Sequence, residues 1–393
     1  MNTQNTQKFA KIQDILTEMV ETGAAAGGSC LIYKDDEEKC YYEAGYADRE
    51  NKVLVKRDTI FRLYSMTKPM TAVAAMLLVQ DGKLDLVEPL STYLPFFKNP
   101  MVAENGTLRP AAREVQVRDL LNMTSGYTYD GASNETEVQT TKLLDEIKAR
   151  MDGEDPLSTQ EIAKRLSAIP LSFDPGTEFR YGLSADILAA VIEAVSGKRF
   201  SEFLRERIWE PLGMNDTGFF VPEEKQDRLA KTYSMEKDGL QLYTVNHLGI
   251  SVDMKRDPAY EAGGAGLTTT IDDWLRFCRM LLNGGALEGV RILTEPMVHF
   301  LTNTTITEEQ RQGMKGWDTL AGYTYGNLMR NLVEPEHAAT LGSRGEYGWD
   351  GWLGPYMSVA PEKNLIILVM EQLTGAGTST HTRRIRNVVY SEI

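Results

Sequence analysis

The stretch "LYSMTKPMTAVAAMLLVQ", Leu63 to Gln80, decides how this chain is read. It is apolar on nearly every side of a helix, yet Lys68 stands in it as the only charged residue. A buried ammonium costs several kcal/mol unless something pairs with it. A lysine at a helix start can snorkel to water, but a helix apolar all round offers little wet side to reach. Ser65 and Lys68 are i and i+3, so they share one face of the first turn. Free N–H groups and the positive dipole end favour a developing anion there. A desolvated lysine can lose its proton near neutral pH and take one from a neighbouring hydroxyl. Ser65 is therefore a candidate nucleophile, activated without histidine.

Spacing alone is a weak signal, since about one Ser-x-x-Lys arises by chance in a chain this long. A second match, Ser234 to Lys237 in "YSMEKDG", lies in a polar stretch with a turn signal after it and reads as solvated surface.

Outward from the opening stretch, strand signals sit at both ends of the chain. Phe9, Ile12, Ile15, Leu16 and Met19 recur at helical spacing and predict an amphipathic first helix. "GGSCLIYKDDEEKCYYEAGYAD" predicts a hairpin turning at "KDDEE", and "TIFRLY" a further strand. From about Leu84 to Leu293 helical patterns dominate. "SADILAAVIEAVSG" has Ser184 as N-cap and Gly197 as its stop. In "TIDDWLRFCRMLLNGG", Thr270 and Asp273 resemble a capping box. Strands return with "GPYMSVA" and "NLIILVMEQ" around the turn "PEKN", and "STHTRRIRNVVYSEI" predicts a last helix. Hairpins favour antiparallel pairing, as parallel strands need long crossovers. The expected class is α+β: one antiparallel sheet from both termini, flanked by helices, with a mainly helical insertion. The expected division is 1–85 with 290–393 as a discontinuous sheet domain and 86–289 as the helical domain, the active site lying between them.

Composition narrows the function. With 42% hydrophobic and 25% charged residues the chain has an ordinary globular mix. A net charge of −14 argues against nucleic acid, because phosphate binding wants clustered Lys and Arg. The N-terminal "MNTQNTQKFAKIQDILTEMVETG" lacks a basic start and continuous apolar core, and no apolar run is long enough for a membrane span. Cys30, Cys40 and Cys278 are too few and scattered for a disulfide framework or a zinc site. The expected location is the cytoplasm.

Further motifs follow Ser65 and Lys68 in order. "DPGTEFRYGLSADILAAVIEAVSG" places Tyr181 between a Pro175–Gly176 turn and a helix start; "YGWDGWLGPYMSVAPEKNLIILVMEQ" carries a three-residue motif ending in Gly351. With "VRDLLNMTSG", "WEPLGMNDTGF" and "GGAGLTTTIDDWLRF", the set resembles the serine β-lactamase and penicillin-binding-protein superfamily. It is most similar to the class C branch and, within it, to carboxylesterases and transesterases of that fold. The resemblance runs from about Ile12 to the C-terminus. It implies Ser65 as nucleophile, Lys68 and Tyr181 sharing base and acid work, and an oxyanion hole from the backbone N–H groups of Ser65 and Trp352. No cofactor and no metal are expected. Where lactamases of this branch carry Asn, this chain has Leu183; where their third motif begins with Lys, it has Trp349, then Asp350. Leu183, Trp349, Asp350 and Gly351 are thus expected at the substrate. Without the Lys and Asn that hold a β-lactam, the substrate expected is an apolar, uncharged carboxylic ester, with weak or no lactam hydrolysis.

Other readings fit less well. No Gly-x-Ser-x-Gly elbow is present, and His247, His299, His337 and His381 show no partner pattern, so they read as structural. His-Glu-x-x-His, the P-loop and the dinucleotide fingerprint are missing. A β-lactamase or a D-amino-acid peptidase or amidase would use the same catalytic residues. A catalytically silent binder of a ligand or partner would not need Ser65, Lys68 and Tyr181 together.

Overall fold

The computed structural model describes residues 8–393; residues 1–7, part of the N-terminal stretch read above as lacking a leader's features, lie outside the described residues. One sheet of eight strands dominates. In chain order they are β1 (Gly27–Lys34), β2 (Glu37–Asp48), β3 (Val53–Leu54), β4 (Tyr323–Gly326), β5 (Met329–Leu332), β6 (Tyr347–Asp350), β7 (Tyr356–Ala360) and β8 (Leu365–Glu371). Their spatial order is β4-β5-β6-β7-β8-β1-β2-β3, and every pairing is antiparallel. The N-terminal and C-terminal strands meet at the centre, where Cys30 pairs with Val369 and Ile32 with Ile367.

Local chemistry explains these elements. Asp35 and Asp36 have φ of 53° and 61°, so a two-residue turn with both φ positive closes the β1–β2 hairpin. All of β8 is buried, which accounts for a run, "LIILVME", without polar alternation. Both its faces are covered. Helices α1 (Ala10–Glu21) and, at the other end of the chain, Thr380–Ser391 lay Ile12, Leu16, Ile385 and Val389 on Cys30, Ile32, Leu365, Ile367 and Val369. The opposite face, with Leu31, Tyr33, Met357, Ile366 and Leu368, joins the larger core. That core also holds α2 (Lys68–Gln80), α3 (Ser184–Ser196) and α4 (Ile271–Leu282); the Thr380–Ser391 helix is α5. Helix α2 is buried from Lys68 through Leu78, so it lies inside the protein rather than on it. No described helix is long and apolar enough to cross a membrane.

Three local expectations are corrected. The strand read in "TIFRLY" is only Phe61–Arg62 and pairs with Thr268–Thr269 outside the large sheet, because the chain turns at once into the segment bearing Ser65. Ser184 is the first residue of α3, not its cap; Leu183 takes the cap position and the Ser184 hydroxyl lies 2.8 Å from that of Ser125. Thr270 caps α4 by accepting from the Asp273 N–H, but the Asp273 carboxylate instead accepts from the Asp216 N–H and the Thr217 hydroxyl. A tertiary partner has replaced the local half of the box.

Helix α5 is fastened by a buried ion pair. Arg386 and Glu346, each 1% exposed, meet at 2.6 Å, and Tyr323 and Tyr390 also donate to Glu346. Burial pushes the Glu346 carboxyl up, yet Arg386, with Tyr390 and Arg330, holds it below its ordinary range. Removing one partner of such a pair strands a buried charge, which costs about 3–5 kcal/mol. Arg386→Met should lower unfolding free energy by about that amount in urea titrations. Adding Glu346→Gln should recover much of it, since the stranded charge is then gone.

Candidate active site

Ser65 sits in a single 3₁₀ turn, Tyr64–Thr67, that runs into α2. It is the one residue between Phe61 and Met70 that is not fully buried. Tyr64 before it has φ of 46°, a left-handed conformation that costs a non-glycine residue roughly 1–3 kcal/mol and concentrates at functional sites. The ring is held by packing: Trp352 lies 5.2 Å away and His247 5.7 Å.

Lys68, on the first turn of α2, has no exposed surface. Its Nζ donates to Ser65 Oγ at 3.1 Å, Tyr129 Oη at 3.1 Å and the Gly264 carbonyl at 2.8 Å. Burial pushes its ammonium down to about 7, against the pull of Asp186 and Asp350. Near neutrality much of it is an amine, able to take a proton from a hydroxyl 3.1 Å away. The rings of Tyr181 and Tyr129 stand 4.6 and 5.7 Å from Nζ. Burial holds both phenols above the usual tyrosine range, with Ser65 pulling each the other way. Tyr181 Oη accepts from Trp349 Nε1 at 2.9 Å, so β6 braces the phenol.

Glycines permit the convergence at two points. A Cβ on Gly351 would stand 2.0 Å from the Leu63 carbonyl, and one on Gly182 would stand 2.4 Å from that of Tyr127. The first contact lays the end of β6 against the segment leading to Ser65. The second lays the Tyr129 segment against Tyr181, with ring centroids 5.6 Å apart. Among the described residues, neither the Ser65 nor the Trp352 N–H has an intramolecular acceptor.

The structure thus gathers Ser65, Lys68, Tyr181, Trp349, Gly351 and Trp352. Asp350 is partly buried, accepts from Thr378 Oγ1 and lies 3.8 Å from Arg330. Leu183 is 2% exposed and packs in the core, with little surface to offer a ligand. Ser234 lies on a small hairpin, Tyr233–Glu236 with Gly239–Leu242, and Lys237 is exposed in its turn.

Tyr129 was missed by sequence reasoning: "SGYTYDG" reads only as a polar loop, and its tyrosine carries no periodic mark. Asp186, buried, accepts from Tyr260 at 2.7 Å and from the Gly264 N–H at 3.1 Å, steadying the carbonyl that Lys68 uses. His247 stacks on Trp352 at 4.1 Å; no histidine hydrogen-bonds Ser65 among the described residues. Trp317, 39% exposed, meets Tyr181 edge-on at 5.4 Å. Two aromatic clusters thus line the site, Tyr64 with His247 and Trp352, and Tyr181 with Tyr129, Trp317 and Trp349. No described group of three or more His, Cys, Asp or Glu is disposed to hold a metal ion.

The β-lactamase family model matches residues 12–390. Protein Rv1367c of Mycobacterium tuberculosis is 30% identical over 92% of this chain and 89% of its own. Esterase EstB of Burkholderia gladioli is 29% identical over 97% of this chain and 95% of its own. Among solved structures, EstCE1, described as a hydrolase with promiscuous acyltransferase activity, superposes with a TM-score of 0.81. It is 27% identical and covers 98% of this chain and 99% of its own. With the family pattern spanning nearly its whole length on the matching fold, the chain belongs to the β-lactamase family of serine hydrolases.

Proposed function

We propose that the protein cleaves or transfers carboxylic esters through an acyl-enzyme on Ser65. The observation that carries this reading is the fully buried Lys68, its Nζ 3.1 Å from Ser65 Oγ and its ammonium pushed down to about 7. Ser65 Oγ attacks the ester carbonyl carbon while its proton passes to Lys68 Nζ. The N–H groups of Ser65 and Trp352 take the charge that develops on the carbonyl oxygen. As the intermediate collapses, Tyr181 Oη hands a proton to the departing alkoxide and is resupplied from the Lys68 ammonium. Water or an alcohol then enters by the reverse path and releases the acyl group. Tyr129, hydrogen-bonded to the same Nζ, helps hold the lysine in line.

The aromatic setting supports an apolar, uncharged acyl group. Trp349 occupies the place of a lactam-binding lysine and spends its N–H on Tyr181 rather than on a ligand. Leu183 offers no amide. EstB is named an esterase and EstCE1 a hydrolase with acyltransferase activity, which agrees with this reading. β-Lactamase and D-amino-acid peptidase activity are accordingly weak or lacking. The substrate is a small molecule, and the chain's acidity disfavours nucleic acid as a partner. A panel of nitrophenyl esters of rising chain length should be turned over, while a chromogenic cephalosporin and a D-alanyl peptide should be poor substrates. Preference for the last two would displace the esterase reading.

Ser65→Ala should abolish fluorophosphonate labelling and lower ester turnover by about 10³-fold or more. Ser234→Ala should leave both unchanged; the reverse result would identify the wrong serine. Because the amine is the base, kcat should rise with pH through about 7. Lys68→Arg should not restore turnover, since guanidinium stays charged. Tyr129→Phe removes an acceptor that favours the ammonium, so the acid limb should move to lower pH, with kcat reduced.

A further inference from the structure

Two consecutive residues just where β8 ends touch the segments that lead to both halves of the proposed oxyanion site. Gln372, 5% exposed, clamps the backbone of Arg62: its Oε1 accepts from the Arg62 N–H at 3.1 Å and its Nε2 donates to the Arg62 carbonyl at 3.0 Å. Arg62 stands three positions before Ser65. Glu371, 2% exposed, serves the other half. Continuing the β7–β8 register past Tyr356–Val369 brings Gly354 opposite Glu371, while β1 places Gly28 on its other side. The carboxyl folds over Gly354 so closely that a Cβ there would stand 2.3 Å from Glu371 Oε1. Gly354 closes the turn that carries Trp352: its N–H donates to the Gly351 carbonyl at 2.9 Å, and the Gly351 N–H to the Pro355 carbonyl at 2.8 Å. The same turn is tied to the segment after β8, where Leu373 and Ala376 donate to the carbonyls of Leu353 and Trp352.

We propose that Glu371 is a positioning residue that acts uncharged: packed on Gly354, its neutral carboxyl holds the 351–355 turn so that the Trp352 N–H faces the reacting carbonyl. The proposal rests on the acyl-enzyme reading above. The setting suits only the neutral form. Glu371 Oε1 is buried without a hydrogen-bond partner. Of the elements packed against it, β1 presents Gly28, the turn presents Gly354 and the start of α5 presents the Ser379 hydroxyl; among the described residues no charged side chain faces it. Burial accordingly pushes the carboxyl up to about 8, with Ser379 pulling slightly down. Ionisation would place an unpaired charge directly against Gly354 and so against the turn that carries Trp352.

The test is kcat against pH for a nitrophenyl ester in the full-length protein, Glu371→Gln and Glu371→Ala. The parent should lose activity above about pH 8, whereas Glu371→Gln, of the same shape but unable to ionise, should keep it. Glu371→Ala should lower kcat about tenfold or more with KM little changed, as expected when a group acts through the transition state alone. Thermal unfolding gives a readout independent of turnover. The raised carboxyl favours the fold most below the ordinary carboxylate range and loses that advantage as pH rises to about 8. The deficit of the parent against Glu371→Gln should therefore grow from pH 5 to 8 and then level off. If Glu371→Ala fails to fold, the Gln comparison still decides. An alkaline limb that is the same in parent and Glu371→Gln, or an unfolding difference flat with pH, would overturn the proposal. Loss of the acid limb near pH 7 in all forms would instead count against Lys68 as the base.

Discussion

The site is organised by the desolvation of one amine. Lys68 lies wholly inside the protein at the start of a helix that is itself interior, and among the described residues no carboxylate hydrogen-bonds its Nζ. Its partners are a serine, a phenol and a carbonyl, all uncharged. Asp186 and Asp350 favour the cation from a distance but do not outweigh burial. A paired ammonium would have been an inert strut, stable and permanently charged. An ammonium held only by neutral acceptors gives up its proton near neutrality, and that separates a base from a salt bridge.

The remaining architecture brings three remote segments to that amine. The β6 edge contributes Trp349 to Tyr181 and Gly351 to the Leu63 carbonyl. The loop 122–134 contributes Tyr129, and the 263–264 segment contributes a carbonyl steadied by Asp186. Each approach is a backbone contact too close for a side chain or a hydrogen bond to a buried group, so small displacements are resisted by packing. Tyr64 in its left-handed conformation lies at the junction, between the strand that delivers the chain and the helix that holds the lysine.

Where the sequence reading missed, a long-range partner had displaced a local one. Ser184 has the composition of a cap but bonds Ser125, and the Asp273 carboxylate serves Asp216 and Thr217 while its N–H stays on Thr270. Propensity ranks local choices that differ by about 1 kcal/mol, and a buried tertiary hydrogen bond is worth as much. Leu183 illustrates the same limit at the site: its place in a motif suggested contact with substrate, and its side chain points into the core.

What the sequence determined alone is what depends on neighbours along the chain. Apolar periodicity marked α1, α3 and α5, the hairpins at both ends implied one antiparallel sheet, and the i, i+3 spacing with an apolar helix singled out Ser65 and Lys68 over Ser234 and Lys237. Tertiary structure alone decided the rest: that Tyr129 reaches Lys68, that Asp186 braces Gly264, that His247 lies on Trp352 and that Glu371 sits under Gly354. These pairs are separated by 17 to 105 residues along the chain, with no periodicity linking them. Their energy comes from excluding water around groups that meet only when the sheet and the interior helices close together, and local pattern carries no trace of that.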